Sequence, residues 1–536
     1  MKSHSGRRKM GLTGSVQQSL QAVVCLSCSV FLLNGCGASH TSQASPPVVA
    51  QTPTYYVSTS GDDSNAGTLA SPWRTIQHAA NMVTAGDTVY VRTGTYNEVV
   101  TMQKSGTASA PIVFSSYPGE LATVDGTGLS VPNGVSGLFT IQNLDNITIE
   151  GFEVRNFTSS TTDEPIGIYI YGADNNIQIL NNHIHNIAAT ASGCNAEALG
   201  VAVYGSSAPA SINNLLFSGN EVDHLTTGCS ESVALDGNVE NFTVTNNLIH
   251  DNDNIGIDVA GFYGVAPNPS YDQARNGKIS GNTVYNITSN YNPGYGTPLP
   301  NNSYGADGIY IDGGTQITIE HNLVHNVDIG IEAASENAGH VTSYVTVRNN
   351  VVYSDNSVGI SIGGYAGPST VGGSDHITIV NNTLYGDGTA NSDNGEFQVQ
   401  FSATNNLFEN NIVYANTQGL FVNNFTTAAS APATLDYNLY YSTVGAANST
   451  WAWQGQTYTG YNTYLHGTGM DAHSPQFLDP QFINMASTPP DLDIQATSPA
   501  VNAGSNLGPS IVGTADFAGH PRVNSSGQIN IGAFEQ

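Results

Sequence analysis

The chain is 536 residues long, and only 10% of it is Asp, Glu, Lys or Arg, against about a quarter in an ordinary soluble domain. The 12 basic and 41 acidic residues give a net charge of −29, a field that repels nucleic acid and anionic lipid and leaves divalent cations and neutral or cation-neutralised substrates as partners. A hydrophobic fraction of 39% with 26 Tyr and 17 Phe excludes a disordered chain, and polarity supplied by 56 Asn with Ser, Thr and Gly suits a regular β architecture.

Four basic residues (Lys2, Arg7, Arg8, Lys9) precede the short apolar run Ala22 to Leu33, which together read as a signal peptide over residues 1–35. Removing it takes the net charge to −33. The run ends in Leu33-Asn34-Gly35-Cys36, which resembles a bacterial lipobox. Cys36 is therefore the expected lipidation site, and a lipid anchor is the one expected membrane contact; plain secretion and twin-arginine export through Arg7-Arg8 are the alternatives. The chain is thus read as an exported bacterial protein, lipid-anchored to the cell envelope or secreted. Residues 36–53, rich in Ser, Ala, Gln and Pro, form a flexible tether.

Residues 54–136 hold an N-terminal cap and the first coils, where Pro72 to Val83 carries Ile76, Ala79, Ala80 and Val83 at helical spacing. From 137 to 442 a pattern repeats: a strand of the type Gly-Ile-x-Ile, a turn, and an alternating strand ending in Asn. That Asn falls at 182, 220, 247, 282, 322, 350, 382, 411 and 438. Each repeat is too small to bury its own apolar face, so the coils must stack into a parallel β-solenoid. The Asn is expected to supply a left-handed corner and to bond to its counterpart one coil away. Three residues further on, His185, His250, Tyr285, His325, Tyr353, Tyr385 and Tyr414 form a second column, and Tyr in that slot argues for packing over metal ligation. Residues 443–536 are a C-terminal coil and cap segment. Cys194 and Cys229 precede strands of consecutive repeats, and export permits a disulfide between them. A capped solenoid buries its core without a partner chain, so a monomer is expected.

The segment from Tyr55-Tyr56-Val57-Ser58 through Gly61-Asp62-Asp63, Ser71-Pro72-Trp73-Arg74-Thr75-Ile76 and Gly86-Asp87-Thr88-Val89-Tyr90-Val91 resembles the entry segment of right-handed parallel β-helix proteins of the pectate-lyase superfamily. The tail, with Asn502-Ala503-Gly504 and Ile531-Gly532-Ala533-Phe534-Glu535, resembles the C-terminal segment of exported β-helix proteins. The resemblance implies an all-β right-handed parallel β-helix and a polysaccharide substrate. The superfamily also includes lyases, hydrolases, epimerases and adhesins, so the fold does not choose among them.

Aligning the strands by coil places Asp236, Asp258, Asp312 and Glu332 on one outward strip, with Tyr310 between Asp258 and Glu332 and with Asp307 and Glu336 flanking it. Insertions at 261–277, with Tyr263 and Arg275, and at 287–305, with Tyr291, Tyr295 and Tyr304, are expected to wall a groove. Two chemistries fit. In the first, which the resemblance favours, Asp236, Asp258 and Asp312 hold Ca²⁺ against a uronate, and Arg275, or failing that Lys278, removes the proton for β-elimination. Tyr310, Tyr263, Lys278 and Glu336 are then substrate contacts. In the second, carboxylates such as Asp258, Asp312 and Glu332, spaced about 8–10 Å apart, act as acid and base of an inverting glycoside hydrolase. A non-catalytic glycan-binding or adhesion protein is the third reading.

Overall fold

A computed structural model describes residues 54–191, 193–424, 426 and 432–536. The signal peptide, Cys36 and the whole tether lie outside the described residues. Apart from short helices such as Ile76–Met82 and Tyr461–Thr468, the chain is a right-handed β-helix of three long parallel sheets. Each coil runs in the same order. Ile166 and Ile168–Tyr171 lie in a 13-stranded sheet, Asn175–Leu180 in an 18-stranded sheet and His183–His185 in a 12-stranded sheet. These are called here the groove, middle and return sheets.

One row of hydrogen bonds sets the coil register. The backbone N–H of Asn182 donates to Asn220 Oδ1 at 2.9 Å, Asn220 to Asn247 at 2.9 Å, and so on through Asn282, Asn322, Asn350, Asn382 and Asn411 to Asn438. Each side-chain Nδ2 donates to the same oxygen and to a carbonyl of the preceding coil, as Asn322 does to Asn350 Oδ1 and Ile279 O. The ladder starts at the Phe152 N–H, which donates to Asn182 Oδ1, and ends where Asn438 Nδ2 donates to Asp471 Oδ1. The left-handed residue, however, is the one before each ladder Asn: Asn181, Gly219, Asn246, Gly281, His321, Asn349, Asn381, Asn410 and Tyr437 all have positive φ. The corner and the ladder are therefore separate jobs of adjacent residues. The first turns the chain outward, and the second points its amide into the buried seam.

The second column stacks as rings: His250 on Tyr285 at 4.8 Å, Tyr285 on His325 at 5.1 Å and His325 on Tyr353 at 4.6 Å. The cap helix is shorter than the sequence pattern, Ile76–Met82. Thr75 is its N-cap, its hydroxyl accepting from the His78 N–H, and Ile76, Ala79 and Ala80 are buried. At the other end the chain turns back along the return sheet, where Phe482, Leu492, Ile494, Ala500 and Ile531 pack on Val351, Tyr353, Ile412 and Tyr414. The fully buried Arg522 pairs with Glu535 at 3.0 Å and ties this segment to itself.

Two tests follow from the seam and the core. Asn322→Ala removes the acceptor of both Asn282 donors, and buried donors without partners cost about 1–3 kcal/mol each; denaturant unfolding should lose roughly 2–6 kcal/mol by that reckoning. Burial also pushes the carboxyls of Asp174, Asp253 and Asp387 up to about 7, from an ordinary value of 3.8. Burial and the charge of Asp387 raise Asp355 as well. The folded chain therefore holds protons that the unfolded chain releases. That contribution is complete below the ordinary carboxylate value and is lost as pH rises through about 7. The melting temperature should fall by several degrees between pH 5 and pH 8.

Candidate active site

In the groove sheet the register aligns Ala234 with Asp258, Tyr310, Glu332, Ser361 and Gln398, one residue per coil. Two residues along, it aligns Ala260 with Asp312 and Ala334, and its continuation places Asp236 in that same column. At about 4.8 Å per strand, Asp258 and Glu332 are roughly 10 Å apart across Tyr310, as are Asp236 and Asp312 across Ala260. The strip predicted from alternation is therefore present as two columns. It is not a solvated face, because Asp236, Asp258, Asp312, Tyr310 and Glu332 are all buried.

The two insertions account for that burial. Residues 261–274 follow the groove strand Ile257–Ala260, and residues 288–306 precede the next groove strand, Asp307–Asp312, so each end of the groove carries a wall. In the first wall Asp272 accepts from the N–H groups of Gly264 and Ala266, shaping a turn from which the Tyr263 hydroxyl donates to Asp312 Oδ2 and, at 3.3 Å, to Glu336 Oε2. The Glu336 N–H donates to Asp312 Oδ1 at 2.8 Å. In the second wall Asn292 Nδ2 donates to Asp253 O and Gly228 O, and the Tyr295 hydroxyl donates to Asn254 Oδ1. A disulfide joins Cys194 and Cys229 beside this wall, with Gly294 against both sulfurs.

The closest carboxyl couples combine strip residues with their flanks. Asp307 shares a hydrogen bond with Glu332, and its pKa is raised well above the carboxylate range by burial first and by the charge of Glu332 second, with Asp258 and Glu336 adding to the effect. Glu332 Oε1 also accepts from Ser361 Oγ at 2.9 Å and Gln400 Nε2 at 2.6 Å. The retained proton belongs to the Asp307–Glu332 pair as a unit. Asp312 and Glu336 form the second couple, bridged by the Tyr263 hydroxyl. Burial raises Tyr310 most, and the charges of Asp312, Glu336 and Glu332 raise it further, so its phenol stays protonated.

Asp307, Tyr310, Glu332, Glu336 and Gln400 line a cavity of about 410 Å³ together with Tyr295, Tyr304, Tyr365 and Asn394. None of the described lining residues is Lys, Arg or His. A larger hollow of about 530 Å³ by the C-terminal segment, lined by Asn506, Pro509, Thr514 and Val523, has no titratable side chain.

The expected bases lie elsewhere. Arg275 begins the middle-sheet strand Arg275–Ser280, where its Nη2 donates to Glu240 Oε2 at 2.8 Å. Lys278, on the same strand, pairs with Glu320 at 2.6 Å. Arg275 belongs to that strand and not to the wall, so neither residue joins the acids. Nor do Asp236, Asp258 and Asp312 converge as an ion cage. Among the described residues, triads of acidic or His donors within 4.8 Å of one another occur on the return sheet, and this trio is not one of them.

Asp307 was legible only as a flanking acid. Strict alternation assigns it to the inward side with Ile309 and Ile311, but a corner glycine intervenes. A Cβ on Gly308 would sit 2.6 Å from Val324 Cγ1 and 2.8 Å from the Gly330 carbonyl, and the close approach that only glycine allows turns Asp307 toward Glu332. Ser361 and Gln400 carry no signal of their own, because polar residues recur throughout the outer strands.

Glu332→Gln removes the neighbouring charge, and the Asp307 carboxyl should titrate at lower pH than in the wild type. Infrared detection of the protonated carboxyl band checks this.

Comparison with known proteins gives two family-model matches: "Pel9A-like, right handed beta helix region" over residues 55–216 and "Right handed beta helix region" over residues 167–384. The chain is 36% identical over 446 residues to the uncharacterized protein YwoF of Bacillus subtilis, covering 83% of this chain and 91% of that protein. It is 38% identical over 132 residues to pectate lyase PEL9 of Emericella nidulans, covering 23% of this chain and 30% of that enzyme. Among solved structures, pectate lyase Pel9A aligns over 91% of this chain and 98% of its own, with 14% identity and a TM-score of 0.46.

Proposed function

The chain belongs to the right-handed β-helix family, together with YwoF, and from that premise we propose that its groove cleaves glycosidic bonds of a neutral polysaccharide by carboxyl acid–base catalysis. One observation carries the reading: the hydrogen-bonded Asp307–Glu332 couple opens, beside Glu336, into a cavity without a cationic lining residue. A proton retained by such a couple is available to a leaving glycosidic oxygen at neutral pH, and it belongs to the couple as a unit. Glu336, held through Tyr263, is the second carboxylate and takes the proton of the attacking water. Tyr295, Tyr304 and Tyr310 offer the apolar faces on which sugar rings rest. A uronate would bring a further negative charge to three lining carboxyls, which is why a neutral glycan fits better.

The β-elimination reading is favoured by the Pel9A-like match over residues 55–216 and by the likeness to PEL9. Against it stand Arg275 and Lys278, both engaged on the middle sheet. A panel of neutral polysaccharides and polygalacturonate, read by reducing ends and by the ultraviolet absorbance of unsaturated products, separates the two. Reducing ends without absorbance are expected, unaffected by chelator and declining as pH rises past the ionisation of the couple. Glu332→Gln should lower kcat by about 10²–10⁴-fold, the usual worth of a general acid or base, and Arg275→Ala should leave it unchanged. Absorbing product from polygalacturonate, lost in Arg275→Ala, would overturn the proposal.

A further inference from the structure

The return sheet carries a second concentration of chemistry, away from the groove. Its register places Glu153, His183, Glu221 and Leu248 in one column and Arg155, His185, Asp223 and His250 in the next. Asp223 therefore interrupts the ring column between His185 and His250, and the strand Glu221–Asp223 presents two carboxylates flanked by a histidine on either side. His183 Nε2 lies 2.7 Å from Asp223 Oδ2. From the other side His250 Nε2 lies 3.3 Å from Glu221 Oε1 and 3.8 Å from the same Asp223 oxygen. Among the described residues, His183, Glu221 and Asp223 form one of the triads whose donor atoms all fall within 4.8 Å, and His250, which is in no such group, is the donor that must draw in to complete a four-ligand site.

We propose that His183, Glu221, Asp223 and His250 bind a divalent transition-metal ion of the zinc class, clamping three successive coils. Metal–ligand bonds of about 2.0–2.2 Å in a tetrahedral site put donors roughly 3.3 Å apart. The 3.3 and 3.8 Å separations already lie near that spacing, and the 2.7 Å contact opens by a few tenths of an ångström when an ion replaces the proton between His183 and Asp223. Two imidazoles and two carboxylates are a zinc-type donor set, and the carboxylates balance the charge of the ion. The surroundings orient the ligands. His250 Nδ1 faces Asp251 Oδ2 at 2.7 Å, so with an ion on Nε2 the Nδ1 proton is held by a carboxylate, the arrangement typical of metal-ligating histidines. Asp223 Oδ1 is engaged by His224 Nδ1 at 2.5 Å, leaving Oδ2 for the ion. His250 keeps its ring stacked on Tyr285 throughout, so packing and ligation are compatible roles of one side chain.

The test is a titration of chelator-treated full-length protein with ZnCl₂ by calorimetry and with CoCl₂ by visible absorption. One ion per chain is expected, with the intense visible bands of four-coordinate Co²⁺ and a rise in melting temperature. His183→Ala and His250→Ala, verified as folded by far-ultraviolet circular dichroism, should abolish the bands. Asp251→Asn, which touches no ion, should weaken Zn²⁺ binding about 10–100-fold, while the exposed His466→Ala should leave it unchanged. No stoichiometric uptake by the wild type, or the same uptake in Asp251→Asn and in whichever His variant folds, would overturn the assignment.

Discussion

The asparagine seam is the interaction on which the rest of the molecule depends. Parallel strands of short coils share only slanted backbone hydrogen bonds, and nothing in an Ile or Val column prevents a slip by two residues. A buried amide that must satisfy the N–H of one coil and a carbonyl of another, as Asn322 does between Asn350 Oδ1 and Ile279 O, removes that freedom. Because every coil from Asn182 to Asn438 is locked at this corner, loops of very different length leave the strands in step. The 261–274 and 288–306 insertions are tolerated for the same reason.

Register is then converted into chemistry. It aligns Asp258, Tyr310 and Glu332 in one column and places Asp312 two residues along, while the insertions exclude water from both ends. Burying carboxyls in such number has a high electrostatic cost. The structure lowers it by sharing: Asp307 with Glu332, Asp312 with Glu336 through Tyr263, and donors from Ser361 and Gln400 onto Glu332. The result is that Asp307 is raised well above the carboxylate range within a cluster of acids, where a water-exposed acid would lose its proton. That inequality is what acid–base catalysis requires.

Much of the fold was legible because its signals are local and repeated: the Asn interval, the alternating aliphatics and the Pro72 to Val83 cap pattern all report one residue at a time. The acidic strip was legible for the same reason, since Asp258, Asp312 and Glu332 obey the alternation. What escaped depends on three-dimensional closure. Asp307 breaks the alternation at Gly308. Arg275 looks like part of an insertion but begins a strand on another sheet, paired with Glu240. His250 reads as a packing ring until the neighbouring column shows which carboxylates its free edge meets. The sequence marks the insertions as walls of a groove but does not say how completely they cover the strip. Its burial, and with it the shared proton, appears only once the walls are in place.

The most direct test of the catalytic account is a crystal structure of the Glu332→Gln variant with a neutral oligosaccharide that the wild type cleaves. The account predicts a sugar seated between Tyr295 and Tyr310, with a glycosidic oxygen within hydrogen-bonding distance of residue 332 and Glu336 on the opposite side of the ring. A saccharide bound instead over Arg275 and Lys278 on the middle sheet, with the groove empty, would contradict it.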